Sequence, residues 1–201
     1  MNRNLTGNKR IVHDCCIDLY NNIQKWKTVA SNLHSIISEI CLIKQKELSD
    51  SDKQEIVGED NSEKTMWQLQ SLSEELLCKF EGLEAVMCKI SRLPKKLKAI
   101  NALSELEQSR NDSSDVDLDP VLFKTWPLSR FCNSVEELEK MYMKEFKVKS
   151  SITKEISTVT KKSNLIILEA TWKYEPNIDT DKVDEILGGI IAELELFSHL
   201  S

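Results

Sequence analysis

The sequence predicts an all-α protein: an elongated helical bundle in which a long antiparallel coiled-coil hairpin is followed by three further helices. Three observations predict it. Only five glycines and four prolines occur in 201 residues, while Leu, Ile, Glu, Lys and Ser are plentiful, a bias that suits long helices over turn-rich β structure. Apolar residues recur at alternating spacings of four and three over two long stretches, as in helices that pack side by side. Capping residues punctuate the chain at the ends of such stretches. With 40% hydrophobic residues there is enough apolar side chain to build a core.

The first predicted helix runs from about Lys9 to Leu48. Its seam reads Val12, Cys16, Leu19, Ile23, Trp26, Ala30, Leu33, Ile37 and Ile40, a heptad pattern that implies packing against one or two other helices. Residues 49–64 break the pattern with Ser49-Asp50-Ser51-Asp52 and Gly58-Glu59-Asp60-Asn61-Ser62, which read as a solvated connector. A second series follows at Leu69, Leu72, Leu76, Phe80, Leu83, Met87 and Ile90, resuming at Leu97, Ile100, Leu103 and Leu106. Pro94 removes a backbone donor and crowds the preceding turn, so a kink or restart is expected there.

Downstream, Asp112, Asp115, Asp117 and Asp119 carry four negative charges with no Lys or Arg among them, a composition that favours water over a packed core. Leu122-Phe123-Lys124-Thr125-Trp126-Pro127 then forms an apolar patch. Trp126 precedes a proline, which disfavours the α region and points to an extended segment. Ser134-Val135-Glu136-Glu137 has capping-box spacing and predicts the start of a third helix. Its seam is Val135, Leu138, Tyr142, Phe146, Ile152, Ile156 and Val159, interrupted where Glu145 and Lys149 replace apolar residues. A fourth helix is predicted over Leu165 to Tyr174. A fifth starts from a cap at Asp179 or Thr180 and continues to Phe197, with Gly188-Gly189 inside it as a weak spot or a close-packing site. The expected organisation is a hairpin over 1–110, an acidic loop and LFKTWP segment over 111–133, and C-terminal helices over 134–201 packed on the hairpin.

The net charge of −6, with both signs interspersed, creates no global field toward nucleic acid or an anionic membrane. Cys15, Cys16, Cys41, Cys78, Cys88 and Cys132 show no framework spacing and read as reduced core hydrophobes of an intracellular protein. Met1-Asn2-Arg3-Asn4-Leu5 lacks the charged region and apolar run of a secretory signal, so no leader is expected. No stretch approaches the roughly 20 apolar residues that span a bilayer.

Catalytic motifs are absent: there is no glycine-rich phosphate loop, HExxH pair, GxSxG elbow or CxxC pair. The His13-Asp14-Cys15-Cys16 run offers soft ligands, but Cys41, Cys78 and Cys88 stand at no finger-like spacing. Neither a cofactor nor a metal is expected. The lysines and arginine at 89, 92, 95, 96 and 98, and the looser group at Lys144, Lys147, Lys149 and Lys154, read as solvated helix faces.

The run Pro120-Val121-Leu122-Phe123-Lys124-Thr125-Trp126-Pro127, then Phe131, Met141-Tyr142, Lys144-Glu145 and Lys154-Glu155, resembles the centre of the cyclin-dependent kinase 2-interacting protein family. The resemblance covers about forty residues; beyond it the likeness is one of helical layout, with Trp26 in the first long helix and Trp172 before Pro176. It implies a non-enzymatic adaptor, nuclear and also cytoplasmic. The implied partners are cyclin-dependent and Cdc7-type kinases, checkpoint proteins, and AAA+ ATPases of the spermatogenesis-associated protein 5 type. The implied processes are DNA replication, genome stability and ribosome maturation. Pro94, Pro120, Pro127 and Pro176 follow Leu, Asp, Trp and Glu, so no Ser-Pro or Thr-Pro site exists, and a proline-directed kinase would be a docking partner and not a modifier.

Leu122, Phe123, Trp126, Pro127, Phe131 and Tyr142 are the candidate partner-binding residues. Trp126 would either anchor a partner, as interface tryptophans often do, or staple the third helix internally. The competing reading is a purely structural coiled-coil subunit of a tethering or cytoskeletal complex, for which the heptads alone would suffice.

Overall fold

Apolar periodicity becomes helix throughout a computed structural model of the chain, which describes residues 5, 7–52, 59–110 and 121–195. Five α-helices follow one another: α1 (Gly7–Asp52), α2 (Glu59–Arg110), α3 (Leu128–Glu155), α4 (Lys162–Tyr174) and α5 (Thr180–Leu194), with a 3-10 turn at Ile156–Thr158 after α3. No strand occurs among the described residues; one isolated antiparallel bridge joins Val121 and Pro127. The fold is all-α. The four aspartates of the acidic loop, Pro120, Phe197 and His199 lie outside the described residues.

Residue contacts divide the chain into two compact units. The first draws on Met1–Gln24, Cys88–Met143 and Ile178–Ser201, the second on Lys25–Met87 and Lys144–Asn177. In the first unit, Cys16, Leu19 and Ile23 of α1, Ile90 and Leu97 of α2, Phe131, Val135 and Leu138 of α3, and Val183 and Ile190 of α5 are buried. Each large side chain of this kind contributes about 1.5–3 kcal/mol by leaving water. In the second unit Trp26, Leu33, Ile37 and Ile40 of α1 are buried with Leu76 and Leu83 of α2, Ile152 of α3, and Leu165 and Trp172 of α4. Phe80 there stacks on Phe146 at 5.5 Å and tilts toward Trp172 at 6.4 Å.

All nine positions of the α1 seam are buried, which accounts for the heptad pattern. In α2 the seam is buried from Leu76 to Ile100 apart from the half-buried Phe80, but Leu103 and Leu106 are 61% and 59% exposed. The helix continues through Pro94 without a restart. A proline inside a helix costs about 3 kcal/mol; buried Ile90, Leu93, Leu97 and Ile100 around it offset that cost.

The start of α3 differs from the expected one. The helix begins at Leu128, directly after Pro127, and Arg130 N–H closes its first turn on the Pro127 carbonyl at 3.2 Å. Ser134 is an interior residue. A side-chain cap contributes about 1 kcal/mol, whereas Leu128, Phe131 and Val135 lie on one helical face and are all buried, a larger gain that carries the helix past the local signal. The start of α5 is as expected: the Asp179 carboxylate accepts Lys182 N–H at 3.0 Å.

Two further expectations are corrected. Cys78 and Cys88 are exposed, unlike the other four cysteines, because they lie off the α2 seam. Lys149 is no part of a solvated face: it and Glu145 are fully buried, and their partners are described below.

Candidate functional site

The residues of the LFKTWP segment form a short strap ahead of α3. Val121 and Pro127 bridge its two ends, and Leu122 N–H donates to the Trp126 carbonyl at 2.9 Å. Proline fixes its own φ and pushes the residue before it out of the α region, so the chain leaves the strap extended at Trp126 and enters α3 at once.

One carboxylate holds the strap to α5. Glu193, only 6% exposed, accepts Lys124 N–H at 2.9 Å, Thr125 N–H at 3.0 Å and Trp126 N–H at 3.2 Å on Oε2, and the Thr125 hydroxyl on Oε1. Successive backbone N–H groups turned toward one point make an anion nest. Burial by itself would push the Glu193 carboxyl up. The Thr125 hydroxyl and the N–H groups of Thr125, Lys124 and Trp126 outweigh it and hold the pKa at about 2. At the rim, Lys124 pairs with Glu195 at 3.2 Å.

Beneath the strap, Trp126 is 7% exposed. Its ring lies 5.2 Å from the Phe131 ring, which in turn meets Phe123 edge-on at 5.5 Å. The Arg130 guanidinium covers the indole at 4.3 Å. Gly189 of α5 admits the indole's far edge: a β-carbon there would lie 2.5 Å from Cζ2 and 2.7 Å from Cη2. Of Gly188-Gly189, the second is therefore the close-packing position, and the first has open space around it.

The six candidate residues divide by exposure. Phe131 and Tyr142 are in the interior, at 0% and 1% exposed, and Trp126 is nearly so. Leu122, Phe123 and Pro127 are half-buried, and Val121, which the sequence reading passed over, is 54% exposed. The structure thus brings Phe123, Trp126 and Phe131 together as one aromatic group. The partly exposed apolar surface of the strap is Val121, Leu122, Phe123 and Pro127, beside the exposed Lys124 and Thr125.

Sequence reasoning missed Glu193, whose place in a helical seam carries no mark of the nest it fills. It also missed a buried polar network in the second unit. Lys149 Nζ donates to the Trp172 carbonyl at 2.8 Å, pairs with Glu175 at 3.1 Å, and lies 4.3 Å above the Trp172 ring. Trp26 Nε1 donates to the same Glu175 oxygen at 3.0 Å, and Trp172 Nε1 to the Ala30 carbonyl at 3.1 Å. Glu145 accepts the backbone and side-chain N–H groups of Asn177 at 3.1 and 3.0 Å and faces Lys149 at 3.8 Å. Burial lowers the Lys149 pKa, opposed by Glu175 and then Glu145. Glu175 ends α4 with φ of 45° in the left-handed region, a conformation that costs a non-glycine residue about 1 kcal/mol or more. Its two side-chain bonds hold it there.

A cleft of about 290 Å³ adjoins this network, lined by Lys27, Ala30, Ser31, His34, Lys149, Trp172, Lys173 and Glu175. Lys149 is committed to Glu175 and the Trp172 carbonyl, and Lys27 and Lys173 are exposed. Burial, followed by the charge of Glu169, pushes the Cys41 thiol to about 11; burial also raises Cys16 and Cys15. These thiols stay protonated and unreactive at neutral pH. Among the described residues, no group of three or more His, Cys, Asp or Glu could hold a metal ion, and no helix is long and apolar enough to cross a membrane.

No family model matches the chain. Its sequence is similar to proteins named cyclin-dependent kinase 2-interacting protein from several vertebrates. The human one is 25% identical over 185 residues, 88% of this chain and 85% of that protein. The Xenopus laevis one is 26% identical over 182 residues, 88% and 84%, and the Mus musculus one 26% over 188 residues, 88% and 85%. The likeness that the strap region suggests extends along most of each chain.

Proposed function

We propose that this chain is a non-enzymatic helical adaptor that binds a cyclin-dependent kinase, presenting the outer face of the 121–127 strap as its contact. The observation that carries the reading is the near-full-length similarity to vertebrate proteins named for an interaction with cyclin-dependent kinase 2. Val121, Leu122, Phe123 and Pro127 supply partly exposed apolar surface, while Glu193 and the Trp126–Phe131 group fix its shape from beneath. A surface held in place before binding loses little conformational entropy when it docks.

The finer reading rests on the family resemblance. In it the adaptor acts in DNA replication and checkpoint signalling, also with Cdc7-type kinases and checkpoint proteins. It joins an assembly with AAA+ ATPases of the spermatogenesis-associated protein 5 type, linked as well to ribosome maturation, and works in the nucleus and cytoplasm. Those ATPases supply the nucleotide chemistry.

Affinity purification of the tagged chain from cells tests both levels. A cyclin-dependent kinase and an AAA+ ATPase should copurify with the wild type, and the kinase should be depleted by Phe123→Ala at unchanged expression. Recovery of neither class contradicts the proposal.

A further inference from the structure

We propose that Thr125 is a phosphorylation site, and that a phosphate on its hydroxyl releases the strap from α5. Thr125 is exposed, in irregular backbone ahead of α3, where modifying enzymes reach a chain most readily. Its hydroxyl nevertheless has a structural task, donating to Glu193 Oε1 beside the three N–H groups that hold the same carboxylate. Few exposed hydroxyls are placed so that one added group acts on the whole attachment of a segment.

The step transfers the γ-phosphoryl group of ATP. An O–P bond forms at Thr125 Oγ1, the bond from phosphorus to the β-bridging oxygen breaks, ADP leaves, and the hydroxyl proton passes to the catalytic base of the kinase. Trp126 follows Thr125, so the kinase is one that does not require proline at the next position. The product loses the O–H donor to Glu193 and gains a charge of about −1.5 to −2. That charge lies against a carboxylate that the nest keeps ionised, and both compete for the N–H groups of residues 124–126. The cations at hand worsen the competition. Lys124 is paired with Glu195, and Arg130 lies over Trp126; drawn to a phosphate, each would abandon a contact that holds the strap down. Release would uncover Phe123 and Trp126. In its consequence for partner binding the inference rests on the adaptor reading; its geometry does not.

Two experiments test it. Phosphopeptide mapping of the chain, purified with phosphatase inhibitors from the cells that make it at each stage of the division cycle, should find phosphate on Thr125; finding none at any stage overturns the assignment. Hydrogen exchange on the full chain carrying phosphothreonine at 125, installed by an expanded genetic code, should show the amides of 124–126 exchanging at least about tenfold faster than in the unmodified chain. Unchanged protection overturns the release. Thr125→Val, which keeps the three N–H bonds, should accelerate exchange less than about threefold; acceleration equal to that of the phosphorylated chain would overturn charge as the cause. Exchange is read without a kinase present, so a strap that opens in a chain that binds no kinase refutes the adaptor reading alone.

Discussion

Gly189 faces Trp126 so closely that a β-carbon on it would meet the indole at 2.5 Å, while Gly188 beside it meets nothing within 4 Å. Adjacent glycines in one helix therefore do different work, and substitution separates them. Gly188→Ala should stabilise the protein by about 0.5–1 kcal/mol, the helix-propensity difference. Gly189→Ala gains the same propensity but must displace a ring packed against Phe131, so it should destabilise by about 1–3 kcal/mol. Urea melts of the two variants check both signs.

Glu193 gives the strap a pH dependence. Its carboxyl is held at about 2 against an ordinary 4.5, so between those values the unfolded chain binds more protons than the folded one. The stabilisation is complete above about pH 4.5 and is lost as pH falls toward 2. Glu193→Gln should cost about 1.5–3 kcal/mol at pH 7, the worth of hydrogen bonds to a charged group. The gap between variant and wild type should shrink steadily below pH 4.5. Denaturant melts at pH 7, 5, 4 and 3 measure it.

Trp126→Ala removes a buried indole together with its contacts to Phe131 and Arg130. Truncations of this kind cost about 3–5 kcal/mol, and a clear fall in melting temperature is expected. Phe123→Ala, at a half-buried position, should lower it much less. Parallel thermal melts by circular dichroism compare them.

Lys149 balances two carboxylates, the buried Glu145 and the half-buried Glu175. Lys149→Met keeps the aliphatic bulk but leaves Glu145 and Glu175 without their cation and should destabilise by about 3–5 kcal/mol. Adding Glu175→Gln should recover part of that loss. A double-mutant cycle read by chemical denaturation gives the coupling.

Much of the fold was legible because its causes are local or periodic. The α1 seam repeats without interruption and every member is buried; the Asp179 cap is a single residue acting on a neighbouring N–H. The true start of α3 was legible in principle, since Leu128, Phe131, Cys132 and Val135 already lie at helical spacing, but a nearer capping box at Ser134 drew the boundary inward. Glu145 and Lys149 stood out as breaks in a seam, yet what reconciles them with burial, Glu175 and the Trp172 carbonyl, comes from another element. Glu193 was beyond reach for the same reason. The nest that marks it is built of backbone N–H groups, which every residue but proline carries and which only tertiary structure aims.

Binding of a kinase through the strap is checked by titrating the purified 201-residue chain with purified cyclin-dependent kinase 2 and its cyclin. Saturable one-to-one binding with a Kd on the order of 1 μM or tighter is expected, weakened at least about tenfold by Phe123→Ala. No binding at about 100 μM, or wild-type affinity in Phe123→Ala, would contradict it.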